Sequence, residues 1–576
     1  MKKSLLNHNK IIEKLKVKRE KILALTPEQA LDAIINDNEA APLIHSFCED
    51  DLHLLIHEIG IQDALPIIAM ASSKQLTYIL DIESWNKDRF DFNAALNWLK
   101  VFKTAAPKRL VNWFFKEEPE EKKDLLNFIL NRFISIGIRD KNMDPSDFDD
   151  DFFTFDDTFY IKIKSLYEQK DEQAEKFIKN FLQDIANYDY YLLQNLLFTS
   201  SAVISSEIEE ELFRIKNIRL AEKGFVPYYE AVGIYQPLTY EIFKKKEKKI
   251  FFKQTETKLT DLPKIFFKHT KQKDLFATAV NLIKNPDIIS GIYYEFASLC
   301  NQIISADKKI IKNKKELNQF IEKARGYLNI SLEASYKKEN PTRKTKDEFC
   351  ADIIQKYMLA DIFRFGYQPV LSLKRKAEKF VKESFFKKNK FSLSFLDEKL
   401  AGVCGGLLLD KPLFFDNYKN GSLYKNFASQ KEIQNAEKKL NKAIIADIFL
   451  KKLDIQTDEI KKTSFATFIN YKNILLTFWV KKEKLLTPLT KEELIKFLNT
   501  IFEKNNNKTN QIKKSAKQDF LSEVILKAFK TKADISIGLA EILKELFDEL
   551  EEEYKYIENF KLLDARYIKL FLITAQ

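Results

Sequence analysis

The stretch TPEQALDAIINDNEAAPLIHSFCEDDLHLLIHEIGIQDALPIIAMASSKQLTYILDIESW, residues 26–85, constrains the fold more than any other part of the chain. It divides into short helices of roughly ten residues, and helices that short are marginal in isolation. Thr26 suits an N-cap, Pro27 the first helical position, and Gln29 completes a capping box ahead of Ala30, Leu31 and Ile34. Leu52, Leu55, Ile56 and Ile59 recur at helical spacing, and Gly60 ends their helix. Asp63 is expected to start the next, with Leu65, Ile67 and Ile68 to bury, and Ser72 with Gln75 forms a second capping box before Leu76, Ile79 and Leu80. Such helices persist only if each buries its stripe against a neighbour. The pattern therefore predicts an α-superhelical stack over 21–115, preceded by a basic arm over 1–20.

The rest of the chain reads as mainly α, in larger helical domains with a minor β-hairpin. The expected boundaries are an acidic linker and hairpin over 116–163, a central helical domain with a short strand over 164–420, and a C-terminal helical domain over 421–576. Asp91 suits the N-cap of a helix that carries Ala95, Leu96, Trp98 and Leu99. After the acidic break KEEPEEKK, residues 125–138 read as one helix. Phe153 and Phe155 then alternate before Asp156-Asp157, and Phe159, Ile161 and Ile163 alternate after it, which predicts a hairpin with a two-residue turn. Ser206 and Glu209 are placed as a capping box, with Gly224 terminating the helix they start. Phe391, Leu393 and Phe395 alternate with serines as a short strand would, NNNKTNQ reads as a polar linker, and Leu539, Leu543, Leu546, Leu550, Tyr554 and Ile557 form the stripe of a last long helix.

Composition supports this class. Only 12 Gly and 14 Pro in 576 residues leave too few turn formers for an all-β chain. Hydrophobic residues make up 45%, enough for a sizeable core. No window reaches the length of an apolar membrane span, the N-terminal 20 residues lack a signal-peptide core, and four cysteines without pairing rhythm point to a reducing, cytoplasmic setting. The net charge of +11 comes mostly from Lys, and A/T-rich codon usage accounts for it, because a dedicated phosphate or base reader carries more Arg. The nucleic-acid alternative rests on basic clusters between 244 and 390, with Arg364, Arg375, Phe385 and Phe386 as the residues that would contact phosphates and stack bases.

The chemistry-bearing residues form no complete motif. Cys48, His53 and His57 are the sharpest metal candidates, since histidines four apart share one helix face. Leu54 stands where a zincin helix needs Glu, and amphipathic spacing alone places polar residues this way. The run Asp144, Asp147, Asp149, Asp150, Asp151 lacks the Gly and distal Glu of a calcium loop and reads as a solvated acidic loop. Gly402, Gly405 and Gly406 are followed by leucines rather than Lys-Ser or Lys-Thr, so they read as packed core rather than a phosphate loop. No catalytic residue, cofactor or metal ligand is assigned on this basis. Trp85 and Trp98 are expected to pack where the stack meets the rest of the chain.

The block DDLHLLIHEIGIQDALPIIAMASSKQLTYILDIESWNKDRFDFNAALNWL, with RLAEKGFVPYYEAVGIYQPL and LAGVCGGLLLDKPLFF, resembles a family of large bacterial helical proteins that has no assigned activity. The first block is also similar to the superhelical N-terminal domain of magnesium transporters and to the helical repeats of the flagellar motor switch protein. Those likenesses imply partner-engaging surfaces and carry over no metal ligands. The expectation is a cytoplasmic interaction or scaffold protein with protein partners; the alternatives are a nucleic-acid-associated basic helical protein and an enzyme of unrecognised class.

Overall fold

The computed structural model describes residues 13–117, 119–140, 144, 148–149, 151–164, 172–201, 204–246, 274–462, 469–505, 509–522 and 533–574. These residues are mainly α, with four small antiparallel strand groups, three of two strands and one of three. They fall into two compact units. Unit 1 comprises Met1–Gln236, Lys244–Arg325 and Asn340–Phe363, and unit 2 comprises Pro237–Phe243, Gly326–Glu339 and Arg364–Gln576. Among the described residues no helix is long and apolar enough to cross a membrane.

Unit 1 opens with α1 (Pro27–Ile35), α2 (Ala40–His45), α3 (Glu49–Ile59), α4 (Leu65–Met70) and α5 (Ser73–Glu83). After a strand pair, β1 (Trp85–Asn86) and β2 (Arg89–Phe90), come α6 (Phe92–Ala105), α7 (Pro107–Phe115) and α8 (Pro119–Phe133). From α1 to α6 each helix packs on the next but one, so every short helix finds its burial in a neighbour. Both expected capping boxes form, Thr26 with Gln29 and Ser72 with Gln75, and Asp91 caps α6. Gln75 does a second task. Its buried amide donates to Ile44 O at 2.8 Å and Phe47 O at 3.0 Å, satisfying carbonyls left open where α2 ends. One apolar cluster links these helices, running from Ile22 through Ile56, Ile67, Trp98 and Phe114 to Leu212.

Several local expectations are corrected. α4 starts at Leu65 behind Ala64 rather than at Asp63, because residues 61–64 form a turn in which Ala64 N–H reaches Gly60 O. The helix read over 125–138 ends at Phe133, and Ile134–Ile138 is a strand, β3. Its alternation of Ile with Ser and Gly is the period-two pattern of a strand. β3 pairs with β5 (Phe159–Ile163), which also pairs with β4 (Phe153–Thr154), in the order β3-β5-β4. The hairpin is therefore present, but its turn is longer than two residues: Thr154 pairs with Tyr160. A two-residue I′ turn needs positive φ at both central residues, and here Asp157 alone has it, at +56°. Side chains hold the wider loop. Thr154 Oγ1 accepts Asp157 N–H at 2.9 Å, and Asp156 Oδ1 accepts the N–H groups of Thr158 and Phe159, each at 2.9 Å.

The helices continue with α9 (Glu172–Tyr188), α10 (Tyr190–Ser201) and α11 (Ser205–Ala221). The Ser206–Glu209 capping box does not form. Ile204 is the N-cap of α11, and the Glu209 carboxylate instead accepts Phe90 N–H at 2.9 Å and pairs with Arg89 at 3.3 Å. Gly224, at φ +78°, does mark the end of that segment. Unit 1 is completed chiefly by α12 (Leu275–Asn281), α13 (Pro286–Asp307), the first part of α14 (Lys314–Glu339) and α15 (Lys346–Lys356).

In unit 2, α16 (Leu359–Glu383) contributes its residues from Arg364 on. There Gly366 lies against the backbone of α14: a Cβ would sit 2.0 Å from Tyr327 O, so only glycine permits the approach. The expected strand at Phe391–Phe395 is a 3-10 turn, Leu393–Leu396, because Phe391 and Phe395 stack at 5.2 Å and Phe395 is buried. The segment expected as a polar linker, NNNKTNQ, is flanked by a strand pair, Phe502–Lys504 with Asn510–Ile512, whose second strand takes in its last residues; 506–508 lie outside the described residues. Asn510 explains the difference, since its buried amide donates to Tyr554 O and Ile557 O. The long helices Gln430–Leu453 and Ala533–Tyr554 pack together, and the stripe Leu539, Leu543, Leu546, Leu550 and Tyr554 is buried.

Trp98 is buried, with its ring 5.9 Å from those of both His57 and Phe102. Trp85 is half-buried against Phe90 and Phe213. Trp98→Ala is expected to lower the unfolding free energy by about 3–5 kcal/mol. Urea denaturation checks this, and an unchanged midpoint would contradict the packing role.

Candidate functional site

Unit 1 holds a cavity of about 810 Å³. The N-terminal end of α3, one face of α5, the end of α7, the start of α8, the C-terminal end of α11 with its following turn, and the middle of α13 all line it. Capping logic explains why polar groups gather here. Cys48 is the N-cap of α3, and Glu49 and Asp50 occupy its first turn, where carboxylates complement the helix dipole. Opposite them, Arg219 and Lys223 stand at the C-terminal end of α11 and just beyond it, where cations are favoured.

Most of these charges are paired. Arg219 grips the buried Asp81 with two bonds of 2.8 Å and reaches Glu121 at 2.7 Å. Lys223 binds Glu49, and its ammonium lies over the Tyr78 ring. Lys122 donates to Ser73 Oγ at 2.6 Å and sits 4.9 Å from the Trp113 ring centre. Three polar atoms on lining residues have no hydrogen-bond partner: Asp50 Oδ1, Thr77 Oγ1 and Trp113 Nε1. Burial raises the Asp50 pKa against the opposing pull of Lys223, and it raises that of Asp81 despite Arg219. The Cys48 thiol is pushed well up by burial and by the charges of Asp51 and Asp50, so it stays protonated and is a poor nucleophile.

A second group lies on the same two helices. His53 and His57 project from one face of α3, and Glu83 is the last residue of α5. Both Nε2 atoms meet one carboxylate oxygen, Glu83 Oε1, at 2.9 and 2.8 Å. The imidazoles cross edge to face at 4.7 Å, and all three side chains are at least nine-tenths buried. Burial alone would raise the Glu83 pKa, but the hydrogen bonds from His53 and His57 outweigh it and hold the carboxyl down at about 2. The two histidines that the sequence singled out therefore meet, but with Glu83 rather than Cys48. Cys48 donates instead to Asp51 Oδ2 at 3.0 Å. Glu83 carried no signal in the sequence because it lies 26 residues beyond His57 and looks like any helix-end carboxylate.

A third hollow, of about 390 Å³, is lined by Lys216 together with Trp85, Phe213 and Lys308. Lys216 is 9% exposed, and its ammonium lies 5.0 Å from the Trp85 ring centre. Burial lowers its pKa to about 8, opposed by the charge of Asp81.

Other sequence candidates are placed elsewhere. Phe385 and Phe386 are buried in unit 2 and are not available to stack bases, while Arg375 is exposed. The basic clusters are divided between the units: Lys314 pairs with Glu58 in unit 1, and Lys374 donates to Leu409 O and Asp410 O in unit 2, with 247–249 outside the described residues. Asp149 and Asp151 face Lys162 as exposed pairs, Asp144 is exposed, and Asp147 and Asp150 lie outside the described residues. Gly402 and Gly406 are packing positions, where a Cβ would stand 2.4 Å from the Phe415 ring and 2.6 Å from Leu413 O.

A family model described as a family of unknown function (DUF6178) matches residues 8–574. The chain belongs to the DUF6178 family. No curated protein and no solved structure matches it. Two of the three sequence blocks that carried the resemblance, 50–99 and 219–238, supply residues to the 810 Å³ cavity of this DUF6178 chain.

Lys216 allows a test of these electrostatics. Below its folded pKa of about 8 the charge is buried at full cost. As pH rises toward the unfolded value near 10.5, the folded chain sheds the proton first and stability recovers. Lys216→Met is therefore expected to stabilise unit 1 at pH 7 by up to about 3 kcal/mol, with the advantage shrinking as pH rises through that window. Denaturant titrations of both proteins across pH check this, and an advantage that is absent or grows with pH would contradict it.

Proposed function

We propose that unit 1 is a receptor for a small polar metabolite held in the 810 Å³ cavity. The observation that carries this reading is the cavity itself, about 810 Å³, with polar side chains from several helices on its wall, Glu49, Lys74, Glu121, Arg219, Lys223 and Ser298 among them. A concavity of that size lined by convergent polar groups from separate helices is what small-molecule sites have in common. Arg219, Lys223 and Lys122 on the wall already hold carboxylates or hydroxyls while Lys74 is exposed, so the cavity suits a neutral, zwitterionic or singly anionic molecule rather than a polyanion. Its volume matches the range of small-molecule sites. With a soluble metabolite library, binding is expected to raise Tm and change Trp fluorescence. Lys74→Met and Ser298→Ala, at two exposed polar positions of the wall, are each expected to weaken binding about tenfold, roughly the worth of one hydrogen bond. Binding unaffected by either change would remove this cavity as the receptor.

A second reading, protein interaction in the cytoplasm, is favoured by a separate observation. On α10, Tyr191 is 78% exposed and Phe198 60% exposed, and their spacing of seven sets them on one face. Exposed aromatics of this kind are frequent anchors at interfaces. The four free thiols, three of them buried, fit a reducing compartment. Tyr191→Ser with Phe198→Ser is expected to abolish recovery of a partner from native-cell lysate without altering Tm, and recovery at wild-type yield would exclude this face.

A further inference from the structure

We propose that His53, His57 and Glu83 form a site for a divalent first-row transition metal, independent of the metabolite cavity. Two neighbouring helices, α3 and α5, deliver two imidazole nitrogens and one carboxylate oxygen to a common point, with all three ligand atoms within 4.8 Å of one another. This His2Glu donor set is the one that metals with open coordination positions use, Zn²⁺ and Fe²⁺ above all. The Nε2-to-Oε1 separations of 2.9 and 2.8 Å are near the ~3.0 Å between adjacent ligands at right angles about an ion with bonds of about 2.1 Å, and a tetrahedral ion spreads them to ~3.4 Å by small side-chain rotations. An ion enters where two N–H protons now point at one oxygen. Each ring then coordinates through the Nε2 lone pair and carries its remaining proton on Nδ1, and Glu83 supplies the negative charge.

The surroundings hold this geometry. The Trp98 ring stands edge-on to His57 at 5.9 Å, and the Tyr78 ring edge-on to His53 at 6.0 Å, so both imidazoles are braced by packed aromatics. The donors are shielded, with side-chain exposures of 5%, 8% and 9%, so water competes weakly for the ion. A small cavity of about 60 Å³ borders His53, with Asp50, Tyr78, Asn301 and Lys309 also on its wall. Leu54, Ile82, Phe225, Ile304, Ile311 and Leu317 make the rest of that wall mainly apolar, so the cavity leaves space beside the His53 ring without adding further ligands.

The test uses the full-length chain, stripped with a chelator and titrated with Zn²⁺ by calorimetry, with bound metal counted by elemental analysis. One Zn²⁺ per chain is expected. His57→Gln and His53→Gln are each expected to weaken binding by at least ~100-fold, more than the loss of an outer-shell partner. Glu83→Gln is the variant that spares the fold, since its amide oxygen still accepts from both rings; it is expected to weaken Zn²⁺ by ~10–100-fold with little change in Tm. His45→Gln, at an exposed histidine outside the group, serves as the control and is expected to bind as wild type. X-ray absorption of the wild-type Zn²⁺ complex reports the ligands without any substitution, and two imidazoles with one or more oxygens are expected. Less than ~0.1 Zn²⁺ per chain, a spectrum without imidazole scattering, or Glu83→Gln and His57→Gln binding as tightly as wild type would each overturn the assignment.

Discussion

Helix α5 is the strut on which unit 1 depends, and its polar side chains explain why. At its start Gln75 completes the capping box and donates to the carbonyls of Ile44 and Phe47. Near its end Asp81 takes both arms of Arg219 from α11, and Glu83 takes both histidines of α3. A helix of 11 residues has little stability of its own, so its place is set by what it touches. Apolar stripes alone would let such a helix slide or rotate at small cost. Directional bonds to three other segments fix its rotation, and buried polar groups of this kind are costly to leave half satisfied.

The same strut brings chemistry together. Its outward polar face meets the end of α11 across the large cavity, and its last turn closes the histidine group. Asp81 and Glu83 are two residues apart and so serve different sides of the helix. One is committed to a guanidinium and the other to two imidazoles. Burial pushes both carboxyls toward higher pKa, yet only Glu83 is carried strongly the other way, because two short hydrogen bonds converge on one of its oxygens.

The family assignment places a name on the chain without an activity, so the weight of any functional reading falls on geometry. The cavity and the histidine group share helices but differ in character. One is roomy and lined by paired charges with a few unmet hydrogen-bonding atoms; the other is tight, buried and composed of metal-competent donors. Both sit beside helix termini, where unsatisfied backbone groups and dipoles favour charged side chains.

The sequence by itself determined the mainly helical class, the short-helix rhythm of the first hundred residues, both early capping boxes, the cap at Asp91 and the breaks at Gly60 and Gly224. Each of these follows from interactions within a few residues, so local spacing carries the information. It also marked His53 and His57 as sharing a face, since four residues is one turn of a helix. What it lacked was every choice made between distant segments. The carboxylate that meets those histidines, the diversion of Glu209 from a cap to the Phe90 amide, the switch of Ile134–Ile138 from helix to strand, and the pairing of Asn510–Ile512 as a strand with Asn510 tied to Tyr554 were decided by tertiary contacts. In each case a partner far along the chain offered a hydrogen bond or a ladder position that outweighed local preference. The convergence of α3, α5 and α11 on one polar centre is of that kind, and only the folded chain reveals it.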